Sequence, residues 1–414
     1  MSLKIRPVWF LLSIVILIEL GYTRLIPIPA LQSAWLSYKY IPILCLAIFL
    51  YSLTYRKSVG NHGFYSRYAY LVIIFFAAEC LYPVIMNGAP LNEVISSGIR
   101  FLILLVPAIV LDRTRIQYMG RFINYVVKAT VIMLIFRFAL WGIYTTTNHT
   151  FLTQLFYYFR YYNGVYRMDG SALCMPVLIY EWYNFLYSKS RKSKIMHLSC
   201  AGITGCYVIV VNQSRALAIC MIITLLLMWL MIEARMAWKI ISILIGMIVI
   251  YLLATSSYMM DLVASLSPSD AVYGGSTSVR TDAIEYYLSV KGVSAVGFGF
   301  LPVSNAYISL LRGSGRNYYF EDLGIMGVLF SNGIFGVTLY ILPIFRTIQL
   351  YFKLKKRKLR EATFMIGFIA YNIVGLVSLS QFDSQRIVGY VVMICLAEWL
   401  YANSLQTGCD HLMV

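Results

Sequence analysis

Long apolar runs, joined by short links rich in lysine and arginine, follow one another along nearly the whole chain. Hydrophobic residues make up 60% of the 414 residues and charged residues only 12%, a balance that excludes a soluble globular protein. In lipid, only helices and closed barrels satisfy every backbone polar group, and these runs are too long and too uniformly apolar for barrel strands. The predicted fold class is therefore all-α, in a polytopic integral membrane protein.

A membrane span takes about 20 mostly apolar residues, and by this measure the sequence predicts about 12 transmembrane helices. Positively charged short links stay in the cytoplasm, which predicts an uncleaved first span and both termini in the cytoplasm. The expected spans lie near 8–22, 36–54, 67–86, 95–111, 122–143, 171–188, 196–212, 216–232, 238–255, 322–345, 362–380 and 387–404.

This topology places the two longest polar connections on the outer side of the membrane. One is a large loop over 256–321, and the other is a smaller, tyrosine-rich loop over 144–170. The whole chain, 1–414, is then a single membrane domain. Tyrosines in the smaller loop predict either an aromatic belt at the membrane interface or a surface that stacks on sugar rings.

Several classes of function are excluded by what the chain lacks. The net charge of +17 is spread over short links, so we expect no nucleic-acid partner. The eight cysteines lie mostly within apolar runs and form no CxxC pair or cysteine–histidine cluster. The sequence accordingly predicts no disulfide framework, no metal and no cofactor.

Five arginines within or beyond the outer ends of predicted spans are the candidate ligand-binding residues. Arginine binds phosphate through two hydrogen bonds and stays charged when partly desolvated. An ionisable group at membrane depth is costly, so it usually faces a cavity. The five are Arg100 and Arg137 inside spans, Arg215 at a tight outer turn, and Arg280 and Arg386 on outer loops.

A purely structural role remains open for the two intramembrane arginines. Arg100 and Arg137 could instead extend to lipid headgroups or form ion pairs within the helix bundle. The available acidic partners in neighbouring spans are Glu19, Glu79 and Glu181.

The large outer loop contains a predicted helix and a glycine turn. The stretch SVRTDAIEYYLSVKG has the periodicity of an amphipathic helix that starts near Arg280 and stops at Gly292. Gly297 and Gly299 follow, and such a pair serves either a backbone turn or contact with a phosphate.

Two acidic residues close the large loop. Glu321 and Asp322 stand directly before an apolar run. They either stabilise the start of a helix or, near the arginines, one of them removes a proton from a sugar hydroxyl as a general base.

These elements together resemble a known family. The series of spans, the SRA sequence at Ser214–Ala216, the arginine-led helix at Arg280, the G-x-G turn and the run EDLGIMGVLFSNGIFG look like the bacterial Wzy-type O-antigen or capsule repeat-unit polymerases, which are related to the O-antigen ligases. The motif-level resemblance covers 211–220 and 276–340.

The resemblance implies a metal-independent glycosyltransferase of the bacterial inner membrane that polymerises undecaprenyl-pyrophosphate-linked repeat units on the periplasmic side. Lipid-linked donor and acceptor, membrane lipids, a chain-length regulator and a flippase are the implied partners. Arg215 and Arg280 would hold the leaving pyrophosphate, and Glu321 or Asp322 would act on the acceptor. Arg100, Arg137 and Arg386, together with the Gly297–Gly299 turn, would line the substrate cavity.

One departure from the wider family distinguishes polymerase from ligase. The ligases carry a His-Asn pair in the large loop, where this chain has Ser304, Asn305, Ala306 and Tyr307. A polymerase is therefore the first expectation. A lipid-linked oligosaccharide flippase, or a ligase, is the alternative.

Overall fold

The computed structural model describes residues 6–32, 34–54, 63–111, 116–156, 158–162, 165–232, 274–304, 306–313, 316, 318–377, 379, 382–383 and 385–410. The predicted span at 238–255, the first part of the large loop (256–273) and Asn305 lie outside the described residues. So do the basic links at 55–62, 112–115 and 233–239.

The described chain is helical almost throughout. Its α-helices are α1 (Arg6–Leu20), α2 (Pro29–Gln32), α3 (Ala34–Thr54), α4 (Phe64–Asn87), α5 (Leu91–Gly98), α6 (Val106–Val110), α7 (Met119–Thr147), α8 (Cys174–Tyr187), α9 (Arg191–Cys206), α10 (Arg215–Leu230), α11 (Gly274–Val290), α12 (Ile308–Arg312), α13 (Gly324–Lys356), α14 (Glu361–Gly375) and α15 (Ile387–Asp410). Short 3₁₀ segments lie at Tyr22–Leu25, Ile99–Leu105, Ile116–Tyr118, Thr153–Leu155 and Phe320–Asp322, and a π-helical turn at Tyr207–Asn212.

Six of the described helical segments are long and apolar enough to cross a membrane. They are Phe64–Asn87, Leu91–Val110, Met119–Thr147, Arg191–Asn212, Gly324–Lys356 and Ile387–Leu405, and shorter apolar helices accompany them at Val8–Leu20, Lys39–Tyr51, Arg215–Leu230 and Glu361–Gly375. Large apolar side chains such as Ile85 and Ile132 point outward and are more than half exposed. These features are those of a membrane-embedded helical protein, and the figure of about 12 spans stays a prediction.

The predicted span at 95–111 differs from the observed segment. The helical segment starts earlier, at Leu91, and tightens into a 3₁₀ helix over Ile99–Leu105 before α6. The phenyl ring of Phe300 lies against Gly98, where an added Cβ would come within 1.9 Å of the ring. Pro107 at the start of α6 has no N–H to donate to the preceding turn. The apolar run thus stays one helical segment over Leu91–Val110, but its winding changes where Phe300 packs against it and where Pro107 begins α6.

A β-hairpin occupies part of the region that the sequence predicts as an aromatic loop. Strands β1 (Phe159–Tyr162) and β2 (Val165–Met168) pair antiparallel, with Tyr161 opposite Tyr166. The Nε–H of Arg167 donates to the carbonyl of Asn212 at 2.9 Å, which ties the hairpin to the turn before α10. The sequence does carry a signal, because an Asn-Gly dipeptide flanked by aromatic residues is typical of a tight hairpin.

The predicted amphipathic helix of the large loop is present as α11. It begins at Gly274, six residues before Arg280, so this arginine lies inside the helix rather than at its start. Ala283 and Tyr287 are buried, and the hydroxyl of Tyr287 donates to the carbonyl of Leu311 at 2.5 Å. The chain leaves the helix at Gly292, which has a φ of +64°, as predicted.

Helix α13 is broken at Gly333, and the glycine turn of the large loop fills the break. At Gly333 the backbone has φ 64° and ψ −164°, a conformation that is essentially restricted to glycine. The N–H groups of Phe298 and Gly299 donate to the carbonyls of Phe330 and Ser331, both at 2.9 Å. The turn therefore satisfies carbonyl groups that the helix break would otherwise leave unpaired.

The same turn also accepts hydrogen bonds from the far side of the break. Ile334 N–H donates to the carbonyl of Ser294 at 3.0 Å, and Phe335 N–H to that of Ala295 at 3.1 Å. A Cβ added to Gly297 would lie 2.4 Å from the carbonyl oxygen of Phe330. The turn and the broken helix are thus one interlocked unit that only glycine allows to approach so closely.

Replacing Gly333 by alanine is expected to lower the free energy of unfolding by about 2 kcal/mol or more, since it adds strain and a contact of 2.3 Å with the Ala295 carbonyl. Thermal unfolding of the detergent-purified protein measures this. The matched control is Gly142→Ala in α7, where a Cβ meets nothing within 4 Å. That change is expected to be neutral or to stabilise the helix by up to about 1 kcal/mol. Equal melting temperatures for the two variants would contradict the interlock.

Candidate functional site

A cavity of about 700 Å³ lies at the end of the helix bundle where α13 begins. Its walls come from the start of α3, α5 and the 3₁₀ helix after it, residues 299–304, 311–312 and 318–321, the first turns of α13, and the residues just before α15. Chain segments far apart in sequence therefore meet at one place. A cavity of this size accommodates a substrate rather than a single ion.

Both signs of charge face this cavity. The cations are Lys39, Arg100 and Arg312, and the carboxyl groups are Glu93, Glu321 and Asp383. Such a combination can neutralise an anionic group at one place and move a proton at another.

Arg100 reaches the cavity from a buried position. Its Nη2 lies 3.1 Å from Oε2 of Glu19, and both side chains are almost completely buried. The sequence left two interpretations of Arg100 open. One was an ion pair within the helix bundle, and the other was a position facing a ligand cavity. Arg100 both pairs with Glu19 and lines the cavity, so its positive charge there is partly balanced by Glu19.

Arg312 is a cavity cation that the sequence did not single out. It is the last residue of α12, and its guanidinium lies 4.8 Å from the ring centre of Tyr319. Its carbonyl accepts the N–H of Tyr318 at 2.9 Å, so the loop folds back and both tyrosines line the cavity with it. An arginine held against an aromatic ring keeps its other edge available for a planar anion.

Glu321 is the one of the two predicted acidic candidates that lines the cavity. It lies in the 3₁₀ turn Phe320–Asp322, just before α13 begins at Gly324, whereas Asp322 is not among the lining residues. The Glu321 side chain is exposed as well, so its place in the cavity lining, and not burial, distinguishes it from Asp322. The sequence could not choose between two adjacent carboxylates, and the structure separates them by position.

The environment of Glu321 favours a proton carrier. Although this side chain keeps contact with solvent, desolvation by the protein atoms around its carboxyl raises the pKa above the usual value, and the negative charge of Asp383 raises this pKa further. Backbone hydrogen bonding and the positive charge of Arg312 act in the opposite direction. A carboxyl whose pKa is raised is a stronger general base than an ordinary glutamate.

Asp383 adjoins Arg386 just before α15. Oδ2 of Asp383 lies 3.3 Å from Nη1 of Arg386, and its Oδ1 accepts the N–H of Gln385 at 3.2 Å. Arg386 was expected to line the cavity. The structure places Asp383 there instead, with Arg386 beside it. The sequence FDSQR holds an acid three residues before the predicted arginine, and that spacing could have indicated the pair.

Arg137 lies apart from the cavity in a buried cluster of backbone carbonyls. Its Nη2 donates to the carbonyl of Leu20 at 2.9 Å and that of Leu155 at 3.3 Å, and its Nη1 lies 3.8 Å from Oδ2 of Asp169. These contacts join α7 to α1 and to the segment before the β-hairpin. They give Arg137 a clear structural role.

The remaining predicted residues are not brought together at the cavity. Arg215 is the half-buried first residue of α10, and Arg280 is half-buried within α11; neither is among the described lining residues. Gly299 lines the cavity and Gly297 does not. The N–H of Gly299 already donates to Ser331 and that of Gly297 to Oγ of Ser294 at 3.1 Å, so these two groups serve the turn.

A polar edge of α5 supplies the rest of the polar wall. Residues at helical spacing i, i+1, i+4 and i+5 lie on one face, and here all four line the cavity: Asn92, Glu93, Ser96 and Ser97. This spacing is readable in the sequence, but the predicted span at 95–111 already includes Ser96 and Ser97, so hydrophobicity alone did not indicate a polar wall here. Amide, carboxylate and hydroxyl groups of this kind bind sugar hydroxyls.

A buried carboxyl lies directly behind the cavity at the helix break. Asn332 lines the cavity, and its Nδ2 donates to Oε2 of Glu79 at 3.2 Å. Glu79 is fully buried, and its Oε1 has no hydrogen-bond partner among the described residues. The backbone carbonyl of Glu79 accepts the N–H of Phe300. The cavity floor is thus built on the interlocked turn.

Within the described residues, no group of three or more histidine, cysteine, aspartate or glutamate side chains is arranged to hold a metal ion. The cysteines described there are free thiols. Comparison with protein-family models and with curated protein sequences finds no match for this chain.

Proposed function

We propose that this protein is a membrane glycosyltransferase that polymerises repeat units carried on undecaprenyl pyrophosphate, and that the reaction takes place in the cavity. In this proposal the chain has about 12 spans, with both termini in the cytoplasm. The cavity opens to the periplasmic side of the bacterial inner membrane, where O-antigen or capsular polysaccharide is built.

The observation that carries the proposal is the placement of two kinds of group in one cavity. A proton-accepting carboxyl, Glu321, shares the cavity with the cations Arg312, Arg100 and Lys39. Transfer of a sugar from a pyrophosphate needs both, because the acceptor hydroxyl loses a proton while the leaving group gains negative charge.

The cations are assigned to the pyrophosphate. Arg312 is the main ligand, since its guanidinium is not balanced by a described ion pair, whereas Arg100 is paired with Glu19. Lys39 is exposed at the start of the apolar α3 and adds a third charge. Arg215 and Arg280 stay predicted pyrophosphate ligands on the resemblance of their motifs alone, and they lie outside this cavity lining.

Glu321 is assigned to the acceptor. Its carboxylate takes the proton of the acceptor hydroxyl while that oxygen forms a bond to the anomeric carbon of the donor. The bond from this carbon to the pyrophosphate oxygen breaks, and the electron pair leaves with the pyrophosphate. The proton ends on Glu321, and the new negative charge lies beside the arginines, where preorganised donors stabilise it most.

The walls between these groups are suited to a glycan. Tyr318 and Tyr319 offer aromatic surface, and the edge of α5 offers hydrogen-bonding groups through Asn92, Ser96 and Ser97. Sugars present apolar ring faces and polar edges, and both are matched here.

Reconstitution with a lipid-linked repeat unit tests the proposal. A ladder of lengthened glycans that remain attached to the lipid is the expected product on a gel. Transfer to a different lipid acceptor would indicate a ligase. Unchanged glycans in either case would contradict glycosyl transfer.

The broken helix α13 is the observation that favours the alternative, a transporter of the same lipid-linked glycan. Interrupted membrane helices next to a buried carboxyl such as Glu79 are common in transporters. A transporter would change the protection of the substrate from an enzyme added outside the vesicle, without any change in glycan length.

The raised pKa of Glu321 predicts how the rate depends on pH. The base must be ionised, so the rate falls as the pH drops through this pKa, above the ordinary glutamate value of about 4.3. Asp383→Asn removes a negative charge that disfavours ionised Glu321, so it lowers this pKa. The acidic limb of the rate profile is then expected to move to lower pH.

Initial rates of polymerisation across a pH series measure the shift. Asp282→Asn is the control, because Asp282 is an exposed carboxylate on α11 that does not line the cavity. An acidic limb that stays in place in Asp383→Asn would show that Glu321 is not the titrating base.

A further inference from the structure

A strongly basic surface lies at the end of α13 that is opposite the cavity. The last turn of α13 and the link to α14 carry six cations, all exposed: Lys353, Lys355, Lys356, Arg357, Lys358 and Arg360. Only Arg360 has a described acidic partner, Glu361, at 3.3 Å. The remaining charges face outward from the bundle.

A second exposed basic turn joins α8 to α9. It contains Lys189, Arg191, Lys192 and Lys194. The only acidic residue of this hairpin is Glu181, which is buried and lies 2.7 Å from Nδ1 of His197. The positive charges of the second turn are therefore not neutralised by acidic residues of the α8–α9 hairpin.

Two contacts bring these turns together. The hydroxyl of Tyr187, the last residue of α8, lies 2.6 Å from that of Thr363 in the first turn of α14. One turn earlier, the hydroxyl of Tyr183 donates to Oε1 of Glu361 at 3.4 Å. The α8–α9 turn starts directly after Tyr187, and the α13–α14 link ends directly before Glu361. The two groups of cations therefore lie side by side and form one surface.

Exposed apolar side chains border the cations on both helices. Lys353 follows Phe352, and Lys194 precedes Ile195 and Met196; each of these apolar side chains is more than half exposed. A soluble acidic partner would not require this apolar border. A position at the level where lipid acyl chains meet headgroups would require it, because lysine and arginine extend there from apolar protein surface to the lipid phosphates.

We infer that these two turns form one binding site for the headgroups of anionic phospholipids. Cations from the α8–α9 turn and from the α13–α14 link contact the lipid phosphates together, with the neighbouring apolar side chains against the acyl chains. The site is independent of the cavity and of the reaction proposed for it. It would set the depth of α13 in the membrane, and α13 leads directly to the cavity at its other end.

Native mass spectrometry of the full chain, purified in detergent and incubated with equal amounts of phosphatidylglycerol and phosphatidylcholine, tests the site. Preferential retention of phosphatidylglycerol is expected. The variant Lys192→Gln/Lys194→Gln/Lys355→Gln/Lys356→Gln should lose that preference by about tenfold or more, since each cation near an anionic headgroup contributes severalfold to binding.

The control variant removes four exposed cations elsewhere: Arg67→Gln/Arg121→Gln/Arg160→Gln/Arg316→Gln. It should keep the preference of the wild-type protein. Equal losses in both variants would show attraction by overall charge and overturn the site, as would equal retention of the two lipids by the wild-type protein.

Pairs of substitutions test whether the two turns act as one site. If they do, Lys192→Gln/Lys194→Gln and Lys355→Gln/Lys356→Gln each weaken the affinity for every bound phosphatidylglycerol. Two unconnected sites would instead lose one set of bound lipids and keep the other at full affinity, which would overturn the joint site. A monodisperse elution profile and an unchanged melting temperature confirm that each variant is folded.

Discussion

Glu321→Gln is expected to lower the rate of polymerisation by a factor of about 10² to 10⁴, the range for loss of a general base. Glutamine keeps the size and most of the hydrogen bonding of glutamate but cannot accept the proton. The acceptor hydroxyl would then remain protonated as it attacks the donor. Single-turnover measurement of repeat-unit transfer in proteoliposomes follows the chemical step directly.

The neighbouring carboxylate provides the control for this substitution. Asp322→Asn removes the same charge one residue later, from an exposed side chain that does not line the cavity. We expect it to change the rate by less than about threefold, as surface substitutions usually do little. Loss of activity in Asp322→Asn with normal activity in Glu321→Gln would reverse the assignment of the base.

Arg312→Ala is expected to lower the rate by a factor of about 10² to 10³, the loss typical of removing one donor to developing negative charge. Arg312→Lys should recover little, because lysine cannot bind a phosphate through two parallel hydrogen bonds or stack on Tyr319 in the same way. Binding of the lipid-linked donor, measured separately, should weaken less than the rate falls, since the charge grows as the bond breaks.

Arg316→Gln is the matched control for Arg312. Arg316 is exposed, belongs to the same loop and is not among the lining residues. Near-normal activity is expected from it. If Arg215→Ala and Arg280→Ala abolish polymer formation while Arg312→Ala does not, the pyrophosphate site lies with the motif arginines and not in this cavity.

The separation of Arg312 from Arg137 shows why tertiary structure was needed to find the site. The sequence singled out Arg137, which lies between two phenylalanines inside a predicted span, and not Arg312, which stands between leucine and glycine. In the fold, Arg137 donates to the carbonyls of Leu20 and Leu155, whereas Arg312 faces the cavity. A side chain's partners come from distant parts of the chain, and the local sequence does not contain them.

The glycine turn makes the same point about backbone groups. Two glycines in a loop were consistent with a phosphate contact or with a turn. The structure shows that the N–H of Gly299 and that of Phe298 are used by α13 at its break. Nothing local in the run GIMGVLFSNGIFG shows that Gly333, among its glycines, is the one at which the helix breaks.

What the sequence determined by itself is the helical, membrane-embedded class, the approximate place of most apolar helices, the helix α11 and its end at Gly292. These follow from hydrophobicity, helical periodicity and glycine conformation, which depend on residues within one or two turns of each other. Only the tertiary structure decided which charges share a cavity: Lys39, Glu93, Arg100, Arg312, Glu321 and Asp383 come from distant parts of the chain. The reason is physical, since electrostatic and packing partners are selected by distance in space, and a chain that folds back through a helix bundle makes that distance independent of sequence separation.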